Sequence, residues 1–207
     1  MKKMICLMLV LVLCLAAGAG IAESPVSVEI FGTLDSSRYE NATMGLGCTF
    51  DGWNYRSQYE ILLQYGLVQS SSPEEVAKVL EDNQSVMVMY AETENKEQNV
   101  NVMLDLGDAP YIKENGEEAF FQELIKMYEE QLAPEQGWKD FTGEITERQI
   151  GDKKVFGVKD AFAVNGMQIY QLQLGWLNGD YVDVITITRY FNDECDSILE
   201  HFYMLGE

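Results

Sequence analysis

The stretch 141–191, FTGEITERQIGDKKVFGVKDAFAVNGMQIYQLQLGWLNGDYVDVITITRYF, decides the fold. It contains four runs rich in β-branched and aromatic residues, and each break between runs carries glycine beside asparagine or aspartate. Such pairs favour the positive φ angles that tight hairpin loops need. The stretch therefore predicts a four-strand antiparallel meander, with strands over 141–150, 154–164, 167–177 and 181–191.

The last predicted strand has an unusual distribution of polar residues. Valines and threonines alternate on one face, at positions 182, 184, 186 and 188, while isoleucines share the other face with Asp183 and Arg189. Neither face is uniformly polar. This pattern predicts a central strand that is covered on both sides.

Further strands are predicted upstream of the meander. Residues 46–50 alternate as a strand and lead into the turn Asp51-Gly52. Residues 86–91 and 99–106 flank a charged connection, which predicts an antiparallel hairpin with a polar tip. A strand-like run also covers 26–31.

Four helices are predicted, the clearest of them at Ser72-Pro73-Glu74-Glu75. Ser72 is placed as N-cap, Pro73 as the first helical residue, and Glu75 completes a capping box. The others are a short helix ending at Gly66, a helix from about residue 115 to Pro134, and a closing helix with the apolar stripe Cys195, Ile198, Leu199, Phe202 and Leu205. No repeat or linker divides the chain. The predicted fold class is α+β, a single domain in which helices cover an antiparallel sheet of about six or seven strands.

The first residues have the pattern of a secretory signal peptide. Lys2 and Lys3 precede an apolar run, and small residues at Gly20 and Ala22 fit a cleavage site before Glu23. A retained transmembrane anchor would need about 20 apolar residues, which is longer than this run. A lipoprotein is the other alternative, because Cys14 follows an aliphatic triplet, although Leu13 is bulky where lipid-modification sites have a small residue.

We therefore expect residues 1–22 to be a signal peptide, 23–37 an N-terminal polar segment and 38–207 the folded domain. The mature chain would have no transmembrane segment and would be secreted or associated with the cell envelope. Its partner would then be a protein or another envelope component.

The charge of the chain disfavours several partner classes. It has 34 acidic and 14 basic residues, for a net charge of −20. Phosphate backbones bind through basic side chains that release counterions, so nucleic acid is disfavoured, as is an anionic lipid surface. The negative charge does not identify a ligand, because a high net charge also keeps a protein soluble.

Two cysteines, Cys48 and Cys195, remain after removal of the leader. Both lie on apolar faces of predicted elements. They could form one long-range disulfide in an oxidising compartment, or they could be two separate buried thiols. The sequence leaves both alternatives open.

Tryptophans are the candidate interface anchors. Trp53, Trp138 and Trp176 could each bind a protein or glycan surface. Trp53 and Trp138 follow glycines at element boundaries, where a tryptophan commonly packs against the edge of a core. Packing is therefore the competing interpretation.

One segment resembles a known family. Tyr39-Glu40-Asn41, Gly45-Leu46-Gly47-Cys48-Thr49-Phe50 and Asp51-Gly52-Trp53 resemble the opening of secreted bacterial members of the PsbP-like family, whose fold is shared by DcrB-like envelope proteins. The chain departs from the pattern at Asp51, where members commonly have proline, and at Cys48, where an aromatic is usual. The resemblance extends over residues 39–205. It implies an α/β/α sandwich and a docking or accessory role.

The sequence contains no recognisable catalytic constellation. His201 is the only histidine and has no sequence-adjacent partner. Asp105 with Asp108, and Asp180 with Asp183, lack the alternating acidic loop of a calcium site. No nucleophile, phosphate-loop, dinucleotide or zinc motif is present. We therefore predict no catalytic residue, metal or cofactor.

The function predicted from these observations is a secreted, non-enzymatic accessory or binding domain. One alternative is a hydrolase that uses carboxylates alone, which would need a concave site containing a carboxyl group with a raised pKa. Another is a structural component of a cell-surface assembly.

Overall fold

The computed structural model describes residues 27–206. The predicted signal peptide and its cleavage between Ala22 and Glu23 lie outside the described residues.

The described residues form strands, helices and two short turns of other helical types. The strands are β1 (Thr33–Asp35), β2 (Arg38–Asn41), β3 (Leu46–Thr49), β4 (Asn54–Tyr55), β5 (Ser85–Glu92), β6 (Gln98–Asp105), β7 (Lys139–Ile150), β8 (Lys153–Val164), β9 (Met167–Asn178), β10 (Tyr181–Tyr190) and β11 (Phe202–Met204). The α-helices are α1 (Gln58–Gln64), α2 (Pro73–Asn83), α3 (Ala109–Asn115), α4 (Glu117–Met127), α5 (Ala133–Gln136) and α6 (Cys195–Leu199). A 3₁₀ turn covers Val28–Phe31, and a π-helical turn covers Tyr128–Leu132.

The strands form two antiparallel sheets. The large sheet has the order β4-β5-β6-β10-β9-β8-β7, and the small sheet has the order β1-β2-β3-β11. Strands β7 to β10 are the predicted meander, and β10 lies at the centre of the large sheet between β6 and β9. The predicted α+β class and the central position of the last meander strand are therefore confirmed.

The main core lies on one face of the large sheet, which we call the core face. This face carries Leu172, Leu174, Ile185 and Ile187, all fully buried. The small sheet, α1, α2 and α6 contribute the rest of the same apolar cluster. On the opposite face, which we call the α4 face, α4 packs against β7, β8 and β9. Helices and a second sheet thus cover the large sheet from both sides.

The capping box predicted for α2 is present. The Ser72 side chain accepts a hydrogen bond from the backbone N–H of Glu75, and the Glu75 carboxylate accepts one from the N–H of Ser72. Helix α1 has the same arrangement between Ser57 and Glu60. Both helices therefore begin where their sequences satisfy the free N–H groups of the first turn.

Both ends of the chain differ from the sequence-based expectation. Residues 28–31 form a 3₁₀ turn instead of a strand, and Phe31 is fully buried although it belongs to the segment predicted to be polar. The packed unit therefore includes residues before position 38. The closing helix ends at Leu199, because Phe202–Met204 pairs with β3 and satisfies its backbone groups in the small sheet.

Asn41 joins the first turn of the described chain to the small sheet. Its side chain is fully buried, and Nδ2 donates to the carbonyl of Ile30 at 2.7 Å and to the hydroxyl of Tyr39 at 3.0 Å. Its Oδ1 accepts from the N–H of Met44 at 3.1 Å. One amide thus satisfies backbone groups on two segments that no strand pairing connects.

We predict that Asn41→Ala destabilises the protein by about 2–3 kcal/mol, because it leaves a buried carbonyl and a buried N–H unpaired. Urea unfolding measures this change. Asn83→Ala is the matched control, since the exposed Asn83 bonds only the carbonyl of Val79 within the described residues and should cost less than about 0.5 kcal/mol. Equal losses of unfolding free energy in the two variants would contradict the conclusion that the buried hydrogen bonds of Asn41 stabilise the fold.

Candidate functional site

An open pocket of about 300 Å³ lies on the core face where β7, β8 and β9 run side by side. We call it the β7–β9 pocket. Thr142, Ala161 and Tyr170 are successive cross-strand partners and form one row of its floor. The next row contains Glu144 and Lys159. The small side chain of Ala161 leaves the space between its larger neighbours.

The turn after β10 forms one wall of the pocket. Asp193 in this turn pairs with Lys159, with 2.8 Å between Oδ2 and Nζ. This hydrogen bond raises the pKa of Lys159. The Glu144 carboxylate makes no hydrogen bond or ion pair with any residue in 27–206. It lies near Arg148, whose pKa is raised by its hydrogen bond to Asp196 and also by the charge of Glu144. The pocket therefore contains one paired cation, its acidic partner and one carboxylate available to a ligand.

Phe191 lies in the turn after β10, two residues before Asp193, which lines the pocket. Its side chain is 62% exposed, and its φ angle is 75°. A bulky residue in this region is strained, at a cost of about 1–3 kcal/mol. The N–H of Phe191 donates to the carbonyl of Gln168 at 3.0 Å, and Arg189 pairs with Glu194 at 2.9 Å. Contacts on both sides of Phe191 thus hold an exposed aromatic ring in a strained conformation.

Asp160 contributes only backbone to the pocket, because its cross-strand partners place its side chain on the α4 face. Gln173 Nε2 donates to Asp160 Oδ2 at 3.0 Å, and the hydroxyl of Tyr128 donates to Gln173 Oε1 at 3.1 Å. Burial raises the pKa of Asp160 to about 7. Its Oδ1 has no hydrogen-bond partner within the described residues. The carboxyl group therefore lies below the π-helical turn that begins at Tyr128, apart from the open pocket.

Three other aspartates have raised pKa values. Burial raises the pKa of Asp105 to about 6 and that of Asp183 to about 7. Burial, with the nearby charge of Asp105, raises the pKa of Asp108 to about 7. None of the three lines the β7–β9 pocket. The aspartate side chains whose pKa values are raised therefore lie outside the pocket.

Both cysteines are free thiols in the structure and are buried. Cys48 lies in β3, and Cys195 begins α6 with its sulfur 3.7 Å from the carbonyl of Tyr170. Burial raises the pKa of each thiol to about 12. The structure thus has Cys48 and Cys195 as separate buried thiols, and burial disfavours the reactive thiolate form of each.

Two of the three tryptophans predicted as candidate interface anchors are buried. Trp138 is stacked on Phe162, with 4.0 Å between ring centroids, and Trp176 is 1% exposed. Neither ring can reach a partner. Trp53 is partly buried and stacks on Phe50, so it alone retains an accessible surface.

His201 and the acidic pairs form no reactive cluster. His201 is exposed next to Phe50. No group of three or more histidine, cysteine, aspartate or glutamate side chains in residues 27–206 is arranged to hold a metal ion. Every helix in the same range is too short or too polar to cross a bilayer.

Sequence reasoning missed the residues that form the pocket, and it missed the conformation of Phe191 in the turn beside it. Thr142, Glu144, Lys159 and Tyr170 have ordinary strand patterns, and only their register brings them together. Phe191 was placed at the end of a strand, where nothing in the sequence shows its positive φ.

Comparison with known proteins returns only structural similarity. No protein-family model matches the chain. No curated protein sequence matches it either. The solution structure of a cyanobacterial PsbP, CyanoP from Synechocystis, is 12% identical at a TM-score of 0.41 and covers 92% of this chain and 98% of its own. The crystal structure of LpqN, involved in cell envelope biogenesis of Mycobacterium tuberculosis, is 10% identical at a TM-score of 0.41. It covers 77% of this chain and 83% of its own.

The resemblance to the PsbP-like family stays a prediction from the sequence pattern, because a TM-score of 0.41 is too low to carry an argument. The fold of this chain is defined by its own two antiparallel sheets and their helices. A similarity of this size says nothing about what the chain binds.

The buried carboxyl groups predict that the protein loses stability as pH rises. The folded-state pKa of Asp160, about 7, lies above the value near 4 of an unfolded aspartate, so the folded state holds the proton more tightly. The stabilisation of the folded state by the proton on Asp160 is complete below about pH 4 and is lost as the pH rises to about 7. Asp160→Asn, which keeps an acceptor for Gln173, should reduce this loss of unfolding free energy by about 4 kcal/mol.

Urea unfolding at several pH values between 4 and 8 measures this effect. Asp35→Asn, on the exposed strand β1, makes the same change of charge and should follow the wild-type profile. If the unfolding free energy of Asp160→Asn changed with pH in parallel with that of the wild type, the raised pKa assigned to Asp160 would be contradicted.

Proposed function

We propose that this chain is an extracytoplasmic, non-enzymatic binding domain that engages its partner at the β7–β9 pocket. The observation that carries the proposal is the exposed ring of Phe191, held in a strained conformation in the turn that forms one wall of the pocket. Strained residues persist where the surrounding structure holds them, and they cluster at functional sites. Large aromatic side chains are also frequent among the residues that dominate binding energy.

The chemistry of the pocket supports binding over catalysis. Its side chains are two hydroxyl groups, a paired lysine and two carboxylates. The aspartates with raised pKa values point elsewhere. A nucleophile held by its general base would have to lie within hydrogen-bond reach of that base, and the pocket contains no such pair.

The extracytoplasmic location is supported by the sequence of the leader. Lys2 and Lys3, the apolar run that follows and the small residues at Gly20 and Ala22 favour export and cleavage before Glu23. Intact mass measurement of the exported chain tests this part of the proposal.

Site-specific photocrosslinking in the producing cells tests the binding role. We predict that p-benzoylphenylalanine at position 191 crosslinks to a defined extracytoplasmic partner, because the side chain at this position is exposed in the turn that forms one wall of the pocket. The same residue at position 59 is the matched control, since Tyr59 is 59% exposed but lies on α1. Ala161→Trp, which fills the floor of the pocket, should abolish the crosslink at position 191.

Equal crosslinking at positions 191 and 59, or a crosslink at 191 that survives Ala161→Trp, would contradict the proposal. Thermal unfolding of each variant shows whether a loss of crosslinking follows from a loss of folding.

A further inference from the structure

The β7–β9 pocket opens beside a strand that has one free edge. β8 is the only strand that pairs with β7 among the described residues, and β11 approaches β7 without pairing. Regular pairing with β8 begins at Thr142, after a bulge that contains Asp140. The N–H and C=O groups along the outer side of β7 can therefore pair with an extended segment of another chain.

The charges near this edge favour a basic segment. The Glu144 carboxylate forms no ion pair within residues 27–206, and the nearby Arg148 pairs with Asp196. Asp193 also lines the pocket, and Lys159 is the only cation among the lining side chains. Lys159 is already bound by Asp193. The pocket thus has a net negative charge in a chain whose own net charge is −20.

Acceptors and an aromatic ring in the pocket match the needs of a cationic side chain. The carboxylates of Glu144 and Asp193 and the hydroxyl groups of Thr142 and Tyr170 can accept its N–H groups. The ring of Tyr170 in the pocket can contact its apolar stem or the cation itself, and the exposed ring of Phe191 lies in the adjoining turn.

From these contacts we infer that the pocket receives a lysine or arginine side chain from an extended segment of a partner polypeptide, which pairs with the free edge of β7. The inference rests on the proposed binding function and names its ligand. Thr142 and Glu144 alternate toward the pocket along β7, at the spacing with which side chains alternate along an added strand. A free polyamine would fill the pocket but would leave the edge of β7 unused.

Binding of short peptides to the secreted chain tests this inference. The probes are fluorescent ten-residue peptides of alternating threonine with lysine, glutamate or glutamine, and their affinities are measured by polarisation. We expect binding of the lysine peptide only. Glu144→Gln should weaken it about fivefold or more, the size of a partly exposed ion pair.

Glu147→Gln is the matched control, because Glu147 lies on the same strand but faces the opposite side of the sheet and pairs with Lys154. It makes the net charge less negative by the same amount as Glu144→Gln and should change the affinity by less than about twofold. Equal weakening by both variants would mean non-specific attraction to an acidic protein and would overturn the inference. Binding of the glutamate or glutamine peptide would overturn it as well.

Phe191→Gly separates binding from stability. Glycine adopts a φ of 75° without strain, so the variant should unfold at the same temperature as the wild type or up to about 3 °C higher. Its affinity for the lysine peptide should nevertheless fall by about fivefold or more. Unchanged affinity would remove Phe191 from the site.

Spermine distinguishes a polypeptide from a free amine. If spermine bound as tightly as the lysine peptide, the edge of β7 would have no role and the inference would fail. A crosslink at position 191 without binding of the lysine peptide would likewise overturn the inference, while leaving the proposed binding function intact.

Discussion

The register of the β7–β10 meander is the constraint on which the rest of the structure depends. Tight turns at Gly151-Asp152, Asn165-Gly166 and Gly179-Asp180 join four strands of ten to twelve residues. A shift of one residue in any pairing would move a whole set of side chains to the opposite face. The same register buries Leu172, Leu174, Ile185 and Ile187 in the core. It also aligns the rows of the β7–β9 pocket and places the side chain of Asp160 on the α4 face.

The elements that the sequence predicted well are those with local signals. Asn-Gly turns, the capping box at Ser72 and the alternation of the long strands each act within a few residues. Elements stabilised by distant contacts were predicted poorly. Phe202 was assigned to the stripe of a helix because its spacing fits one, but it pairs with Cys48, more than 150 residues away. Phe31 likewise packs in the core through tertiary contacts, although its segment is short and mostly polar.

Part of the site was within reach of sequence reasoning. A two-residue turn at 151–152 makes Thr142 the partner of Ala161, and the turn at 165–166 makes Ala161 the partner of Tyr170. The floor of the pocket follows from the predicted turns. The wall does not, because the position of Asp193 depends on the path of the chain after β10 and on its ion pair with Lys159. The strain at Phe191 also arises from contacts that no local pattern reveals.

The central claim is that the free edge of β7 and the adjacent pocket form one binding site. Amide hydrogen exchange, measured residue by residue in the free chain and in its complex with the natural partner, tests this claim most directly. The account predicts that the outward-facing, alternate N–H groups of β7 exchange quickly in the free chain and slowly in the complex, while those of β9 remain protected in both. Unchanged exchange along β7, with new protection confined to another surface such as α1, would contradict it.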